Sequence, residues 1–318
     1  MEIVFLDSGS YGDDIDLTGF KKFGNVTFYP YTSAAAVQNR ILNAEVIVIN
    51  NTAISNSDLE SAHKLKLIAI AATGTDNVDL NYCRKAGIQV RNVTGYATES
   101  VAQHTFAMLF HLMEQTAYYD FYIKSGTWSR SGLPTHMERK FMQLTGKRWG
   151  IIGLGNIGKR VATLASAFGC EIVYYNRYSD THNKEYEGIQ LQALLQTSDI
   201  ISIHAPLNNK TRNMITKKEL ALLKTGTILL NLGRGAIVNE LDLADAIDNN
   251  GILVGLDVFT KEPIEIANPL LKLKMPHHLV TTPHIGFAAK EAREAVIKGT
   301  LKNIKDFITE HSLNSTSH

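Results

Sequence analysis

Two cysteines, Cys83 and Cys170, are the whole thiol content of 318 residues. They stand far apart and form no CxxC pair. That excludes a disulfide scaffold and a structural zinc cluster, gives no reason to expect a metal, and suits a reducing cytosol. Proline is scarce as well, at 7 residues. No apolar run approaches the roughly 18 residues of a membrane-spanning helix. An excess of charge of either sign is missing too, since 32 Lys and Arg face 31 Asp and Glu. Nucleic acid and anionic membrane surfaces therefore lack a bulk electrostatic attraction to this chain. The opening Met1-Glu2-Ile3-Val4-Phe5-Leu6-Asp7 has no basic region. It reads as a strand and not a signal peptide, so a cytoplasmic location is expected.

What is present is ordinary globular material, 44% hydrophobic and 20% charged, with one oddity in its 23 glycines. The length suits two domains of roughly 150 residues each. Short runs rich in Val and Ile at 3–6, 26–29, 46–49, 67–71 and 88–90 read as buried strands. Helix-like stretches at 33–42, 57–64 and 78–85 lie between them. Strand and helix in alternation predict right-handed crossovers and a parallel sheet.

A mostly apolar stretch from 98 to about 124 breaks the rhythm and reads as one long helix ending near Gly126. Its end carries Tyr118, Tyr119, Phe121 and Tyr122, followed by Trp128. Two readings stand: an inter-domain or core helix, or an aromatic end buried against a second subunit in a homodimer. From Lys147 a second alternation begins, with strands expected at 148–152, 171–175, 200–204, 227–231, 252–256 and 279–281. A final helix at about 289–308 carries Ala292, Ala295, Val296, Ile304 and Phe307 at helical spacing. The polar tail 311–318 is expected to fray. Its Asn314-Ser315-Thr316 sequon is accidental in a cytosolic chain.

Gly153-Leu154-Gly155-Asn156-Ile157-Gly158 is a GxGxxG set between a strand and a helix. Gly153 permits the tight turn, Gly155 lets backbone approach a pyrophosphate, and Gly158 lets the helix pack on the strand. The helix N-terminus then offers unpaired N–H groups and a positive dipole to the phosphates. The next strand ends at Asn176-Arg177, where an acidic residue would mark NAD. Asn176 does not repel a 2′-phosphate and Arg177 can pair with one, so NADP tolerance is favoured. The alternative has Asn176 on the ribose and Arg177 over the adenine.

Three residues sit where later strands end. Arg234 lies in Asn231-Leu232-Gly233-Arg234-Gly235, Glu262 precedes Pro263, and His284 lies in Thr282-Pro283-His284-Ile285-Gly286. Loops at the carboxyl ends of strands line the crevice of a doubly wound sheet, so the three are expected to converge on a bound nicotinamide. A guanidinium clamps a carboxylate or polarises a carbonyl through a rigid fork of donors. A histidine exchanges the proton that accompanies hydride transfer. A carboxylate beside an imidazole favours its protonated form and fixes its orientation.

With Ala72-Thr73-Gly74-Thr75-Asp76-Asn77-Val78-Asp79, Ser100-Val101-Ala102-Gln103-His104 and His204-Ala205-Pro206-Leu207, these motifs resemble the D-isomer-specific 2-hydroxyacid dehydrogenase family over nearly the whole chain. The resemblance implies an α/β fold of two doubly wound parallel-sheet domains. A Rossmann NAD(P)-binding domain, 101–284, would be inserted into a flavodoxin-like substrate (catalytic) domain formed by 1–100 and 285–318. The family is usually homodimeric, with its active site between the domains. Arg234 would orient the 2-keto acid, His284 would act as acid/base, and Glu262 would tune His284. Thr73 and Gly74 match the loop that receives the substrate carboxylate. Asp257 matches the carboxylate that contacts the nicotinamide amide. Asn156, Ile157, Ala205, Pro206, Leu232 and Gly286 join the glycine loop and its neighbours as implied cofactor contacts.

Within the family the Asp7 region, the 98–104 run and the compact length look most like the glycerate dehydrogenase (hydroxypyruvate reductase) branch. Hydroxypyruvate or glyoxylate is thus the expected substrate, ahead of D-lactate or another D-2-hydroxy acid. Gln103 stands where many relatives have glutamate, and Asn176 departs from the acidic NAD signature. A chain that stops after one final helix argues against the longer, serine-regulated phosphoglycerate dehydrogenases. Formate dehydrogenases have glutamine where Glu262 stands. An interaction protein like the C-terminal-binding-protein corepressors is the reading from another class, although their peptide cleft and tails have no visible counterpart.

Overall fold

The computed structural model describes residues 1–177 and 184–315; Thr316 of the sequon and the tail after it lie outside the described residues. The chain forms two compact units, Met1–Ala97 with Phe287–His318, and Thr98–Gly286.

The first unit holds β1 (Glu2–Phe5), β2 (Asn25–Phe28), β3 (Val46–Ile49), β4 (Leu67–Ile70) and β5 (Gln89–Arg91). They pair in the order β2-β1-β3-β4-β5, every pair parallel. This is the flavodoxin-like order. Strands covered on both faces alternate between two cores. Val4, Leu6, Ile47, Ile49, Ile68 and Ile70 pack with Val37, Ile41, Leu59 and Cys83 from the helices Ala34–Ile41, Asn56–Ser61 and Leu80–Lys85. Ile3, Phe5, Val46, Val48, Leu67 and Ala69 pack instead with Val296, Ile297, Ile304 and Phe307 of the terminal helix Lys290–Ser315. That helix continues past the expected end into the stretch read as frayed. Ala295 is exposed, and Ile297 takes the buried place expected of it.

The second unit holds β6 (Arg148–Ile152), β7 (Glu171–Tyr175), β8 (Glu187–Gly188), β9 (Ile200–Ile203), β10 (Ile228–Asn231), β11 (Leu253–Leu256) and β12 (Leu279–Thr281). The order is β12-β11-β10-β9-β6-β7-β8. Renumbered within the unit it is 3-2-1-4-5-6 with one further strand, the Rossmann order. The sheet reverses between β6 and β9. Two glycines let neighbouring side chains approach it closely. A Cβ on Gly150 would fall 2.5 Å from Leu194, and one on Gly255 would fall 2.7 Å from Leu230 and 3.4 Å from Met108.

The second unit runs 98–286, two to three residues wider at each end than 101–284, and its two ends are joined: the Ser100 hydroxyl donates to the Gly286 carbonyl at 2.6 Å. The single helix expected over 98–124 is two, Thr98–Glu114 and Thr116–Lys124. Gln115 between them is left-handed (φ 50°), and its side-chain oxygen accepts from Arg139 at 2.6 Å. The first helix buries eight residues and the second buries none. The core reading thus holds only for the first half. Among the described residues no helix is long and apolar enough to cross a membrane.

Candidate active site

The loops at the carboxyl ends of β6, β9, β10, β11 and β12 form a row, each seated on the next by a position that takes no side chain or by a hydrogen bond. Gly153, at φ 97°, lies so close to the β9 loop that a Cβ would stand 2.7 Å from the Ala205 nitrogen. On Gly233 a Cβ would meet the Ala205 carbonyl at 2.9 Å. A Cβ on Gly235 would overlap the backbone of Phe259 and Thr260. Arg234 is therefore held between two glycines that fix its loop against both neighbours, and its Nη1 donates to the Gly233 carbonyl at 2.9 Å.

The next link is Asp257, a buried carboxylate at the end of β11. Its Oδ1 accepts from the Thr282 hydroxyl (2.6 Å) and the Ile285 N–H (2.8 Å), and its Oδ2 from the Gly286 N–H (2.8 Å). Its own carbonyl takes the His284 N–H at 2.8 Å. Burial opposes its charge, but the nearby His104 and the hydrogen bonds from Thr282 and the two N–H groups outweigh it, so its carboxyl titrates below the usual range. His284 sits left-handed at φ 54°, a conformation that costs a non-glycine residue on the order of 1 kcal/mol. Bonds to three consecutive N–H groups offset that cost.

His284 and Glu262 meet as expected: the ring Nδ1 lies 2.6 Å from Glu262 Oε2. Glu262 Oε1 accepts the Phe259 N–H at 2.9 Å, so the carboxylate is gripped by its own turn and cannot swing away freely. With Oε2 acting as acceptor, Nδ1 carries a proton, which fixes the ring's orientation.

Earlier in the chain, at the β6/β9 reversal where such sheets bind ligands, lies a cleft of about 320 Å³. Gly153, Gly155, Asn176, Arg177, Ala205 and Pro206 line it, along with His204, Thr211 and Met214. Gly158 is instead buried under the turn, where a Cβ would strike the Gly153 carbonyl. Asn156 and Ile157 open the helix Asn156–Ala167, whose first turn has no side-chain cap. Leu232 is buried, while Asp257 and Gly286 belong with His284. A Cβ on Gly155 would have no neighbour within 4 Å. Packing inside the chain does not require a glycine there, whereas close approach of a pyrophosphate does. Both nitrogens of His204 are buried without a hydrogen-bond partner, and burial pushes the imidazole down to about 3. A buried polar group left unpaired is costly, so these atoms also fit a bound dinucleotide. Asn176 Oδ1 accepts the Leu154 N–H at 2.7 Å, bracing the glycine loop.

Thr73 and Gly74 lie in the first unit, after β4. Thr73 Oγ1 donates to the Val93 carbonyl (3.0 Å), and its own carbonyl takes the Asn92 amide (2.7 Å). Next to that loop, Asp7 at the end of β1 accepts the N–H groups of Asn50, Asn51 and Thr52, although burial pushes its carboxyl up. Asn77 joins the two loops through bonds to the Asn50 and Thr52 carbonyls, both 3.0 Å. Sequence reading placed Asp7 in a motif without this task. His104, His204 and Thr282 likewise stood in motifs without a role. Only the apolar strands before Asp7, His204 and Thr282 hinted at one; His104, inside the helix Thr98–Glu114, carried no such signal.

The model for the NAD-binding domain of D-isomer-specific 2-hydroxyacid dehydrogenases matches residues 106–286. A hydroxypyruvate reductase of Blautia hydrogenotrophica is 31% identical over 321 residues, covering 99% of each chain. A glyoxylate reductase of Thermococcus litoralis is 40% identical over 255 residues, covering 78% of this chain and 76% of its own. Among solved structures, the D-lactate dehydrogenase of Aquifex aeolicus complexed with NAD and lactic acid superposes with a TM-score of 0.86 at 28% identity, covering 97% of this chain and 96% of that one. The chain belongs to the D-isomer-specific 2-hydroxyacid dehydrogenase family, oxidoreductases that act on the CH–OH group of their donors with a nicotinamide dinucleotide.

Proposed function

We propose that this chain reduces a small 2-keto acid, hydroxypyruvate to its D-2-hydroxy acid or glyoxylate to its achiral 2-hydroxy acid. The observation that carries the reading is the Glu262–His284 pair, aligned in one row of loops with Arg234 and the glycine turn. The reduced nicotinamide, when bound, supplies the hydride. Arg234 clamps the keto acid through its planar fork of donors, and Thr73 and Gly74 receive its carboxylate. Because Nδ1 of His284 is given to Glu262, Nε2 is the nitrogen that passes a proton to the carbonyl oxygen. Asp257 Oδ2, with one internal donor, takes the nicotinamide amide.

Asn176 supports use of NADP as well as NAD. Its oxygen accepts the Leu154 N–H, and the side chain brings no charge that would repel a 2′-phosphate, with Arg177 beside it. The deciding experiment is one matrix of hydroxypyruvate, glyoxylate, pyruvate and bulkier 2-keto acids, each with NADH and with NADPH. Highest kcat/KM is expected for hydroxypyruvate and glyoxylate, with measurable rates from both cofactors. Preference for pyruvate would make it a D-lactate dehydrogenase. Inactivity throughout, with dinucleotide still bound, would favour the interaction-protein reading.

The same proposal includes a homodimer through residues 116–141. This segment is ordered by its own rings: Tyr122 stacks on His136 at 3.9 Å, and Arg139 lies 4.1 Å over Tyr118. It still leaves Phe121 71% and Met137 70% exposed, with Leu133 and Phe141 also bare. Apolar surface of that kind is what subunit contacts cover. Sedimentation equilibrium should give twice the 35.2 kDa chain mass; a monomer at micromolar concentration would refute it.

A further inference from the structure

Glu262 and His284 account for the proton step, yet the loop that carries His284 is held from a third direction that this step does not use. Helix Thr98–Glu114 presents Ser100 and His104, one turn apart and so on one face, to the 282–286 segment. Ser100 takes the Gly286 carbonyl. His104 Nε2 lies 2.9 Å from Thr282 Oγ1 and 3.6 Å from Asp257 Oδ1.

Proton counting fixes the direction of these bonds. The Thr282 hydroxyl has one proton, and a carboxylate oxygen 2.6 Å away accepts it. Thr282 Oγ1 must then receive from His104, so Nε2 carries a hydrogen. The result is a one-way chain from His104 Nε2–H through Thr282 Oγ1–H to Asp257 Oδ1. That oxygen also holds the Ile285 N–H, directly after the left-handed His284.

We propose that His104 is a positioning residue for His284. By donating to Thr282 it commits the hydroxyl proton to Asp257, which in turn sets the turn that aims the His284 ring. Without His104 the hydroxyl is free to rotate and Asp257 loses a directed donor. The left-handed turn then rests on fewer bonds, and a misplacement of even 1 Å at a reacting group costs about 10²-fold in rate. The inference rests on His284 being the acid/base.

A double-mutant cycle tests it. His104→Ala is expected to lower kcat by about 10–10²-fold, with little change in KM for the keto acid. His104→Gln, whose amide can donate in place of Nε2, should recover most of that loss. Thr282→Val should reproduce the loss without adding to that of His104→Ala. In the His284→Ala background, where there is no ring to aim, His104→Ala should cost nothing further. Equal losses in both backgrounds would show a general structural role and overturn the inference, leaving His284 as the acid. Full turnover by His284→Ala alone would instead remove the acid role itself. If His104→Ala does not fold, Thr282→Val carries the same cycle against His284→Ala, and near-wild-type turnover by His104→Gln is the second readout.

Discussion

His284→Ala is expected to lower kcat by about 10²–10⁴-fold while leaving NADH affinity nearly unchanged, since a positioned general acid supplies that much of the rate. The variant should keep the shape of the loop. What holds the turn are the N–H groups of His284, Ile285 and Gly286 on Asp257, and these are backbone bonds that alanine retains. Alanine tolerates that region less well than histidine, and His284→Asn, which tolerates it equally well, serves as a second variant with the same missing acid. Steady-state rates with hydroxypyruvate and glyoxylate, beside dinucleotide binding followed by fluorescence, make the measurement. Near-normal turnover in both variants would remove His284 from the proton step.

Gly235→Ala should be the most damaging single methyl group in the site. The atoms it would strike are the backbone of Phe259 and Thr260, which cannot rotate aside as a side chain would. The β11 loop has to move, and Glu262 moves with it, because its Oε1 is tied to the Phe259 N–H. Overpacking of this kind typically costs 1–3 kcal/mol. In a unit of this size that lowers Tm by roughly 2–4 °C per kcal/mol. Loss of the Glu262–His284 pairing should lower kcat further. Gly155→Ala is the contrasting case. Its new methyl meets nothing in the chain, so Tm should hold while dinucleotide affinity falls. Thermal unfolding and binding on the two variants separate the effects; an unshifted Tm for Gly235→Ala would mean that the loop tolerates the methyl group.

Local chemistry made much of this legible from the sequence. Val- and Ile-rich runs of four or five residues can only be buried strands when glycine turns and amphipathic stretches flank them. The GxGxxG could be read because turn, strand and helix are neighbours in the chain. Failures followed from the opposite condition. Nothing local announces a break at Gln115, which is neither glycine nor proline; its partner Arg139 lies in a later loop. β8 is two residues, Glu187 and Gly188, with no apolar pattern to see. His104 meets Thr282 across 178 residues and Asp7 meets Asn50 across 43, so the residue types were visible in their motifs but the pairings were not.

The second core of the first sheet depends on Val296, Ile297, Ile304 and Phe307. Those residues leave the ribosome after the whole second unit, although the strands they cover leave before it. The second unit is contiguous and is complete once Gly286 has emerged. The usual amino-terminal-first order of domain folding during synthesis is therefore inverted. A nascent chain arrested just past residue 286, once clear of the exit tunnel, should resist protease across 98–286 while strands β1 to β5 remain open to cleavage. Until the final helix arrives, the faces of Phe5, Val48 and Leu67 stay open, apolar surface of the kind that makes a nascent chain prone to aggregate.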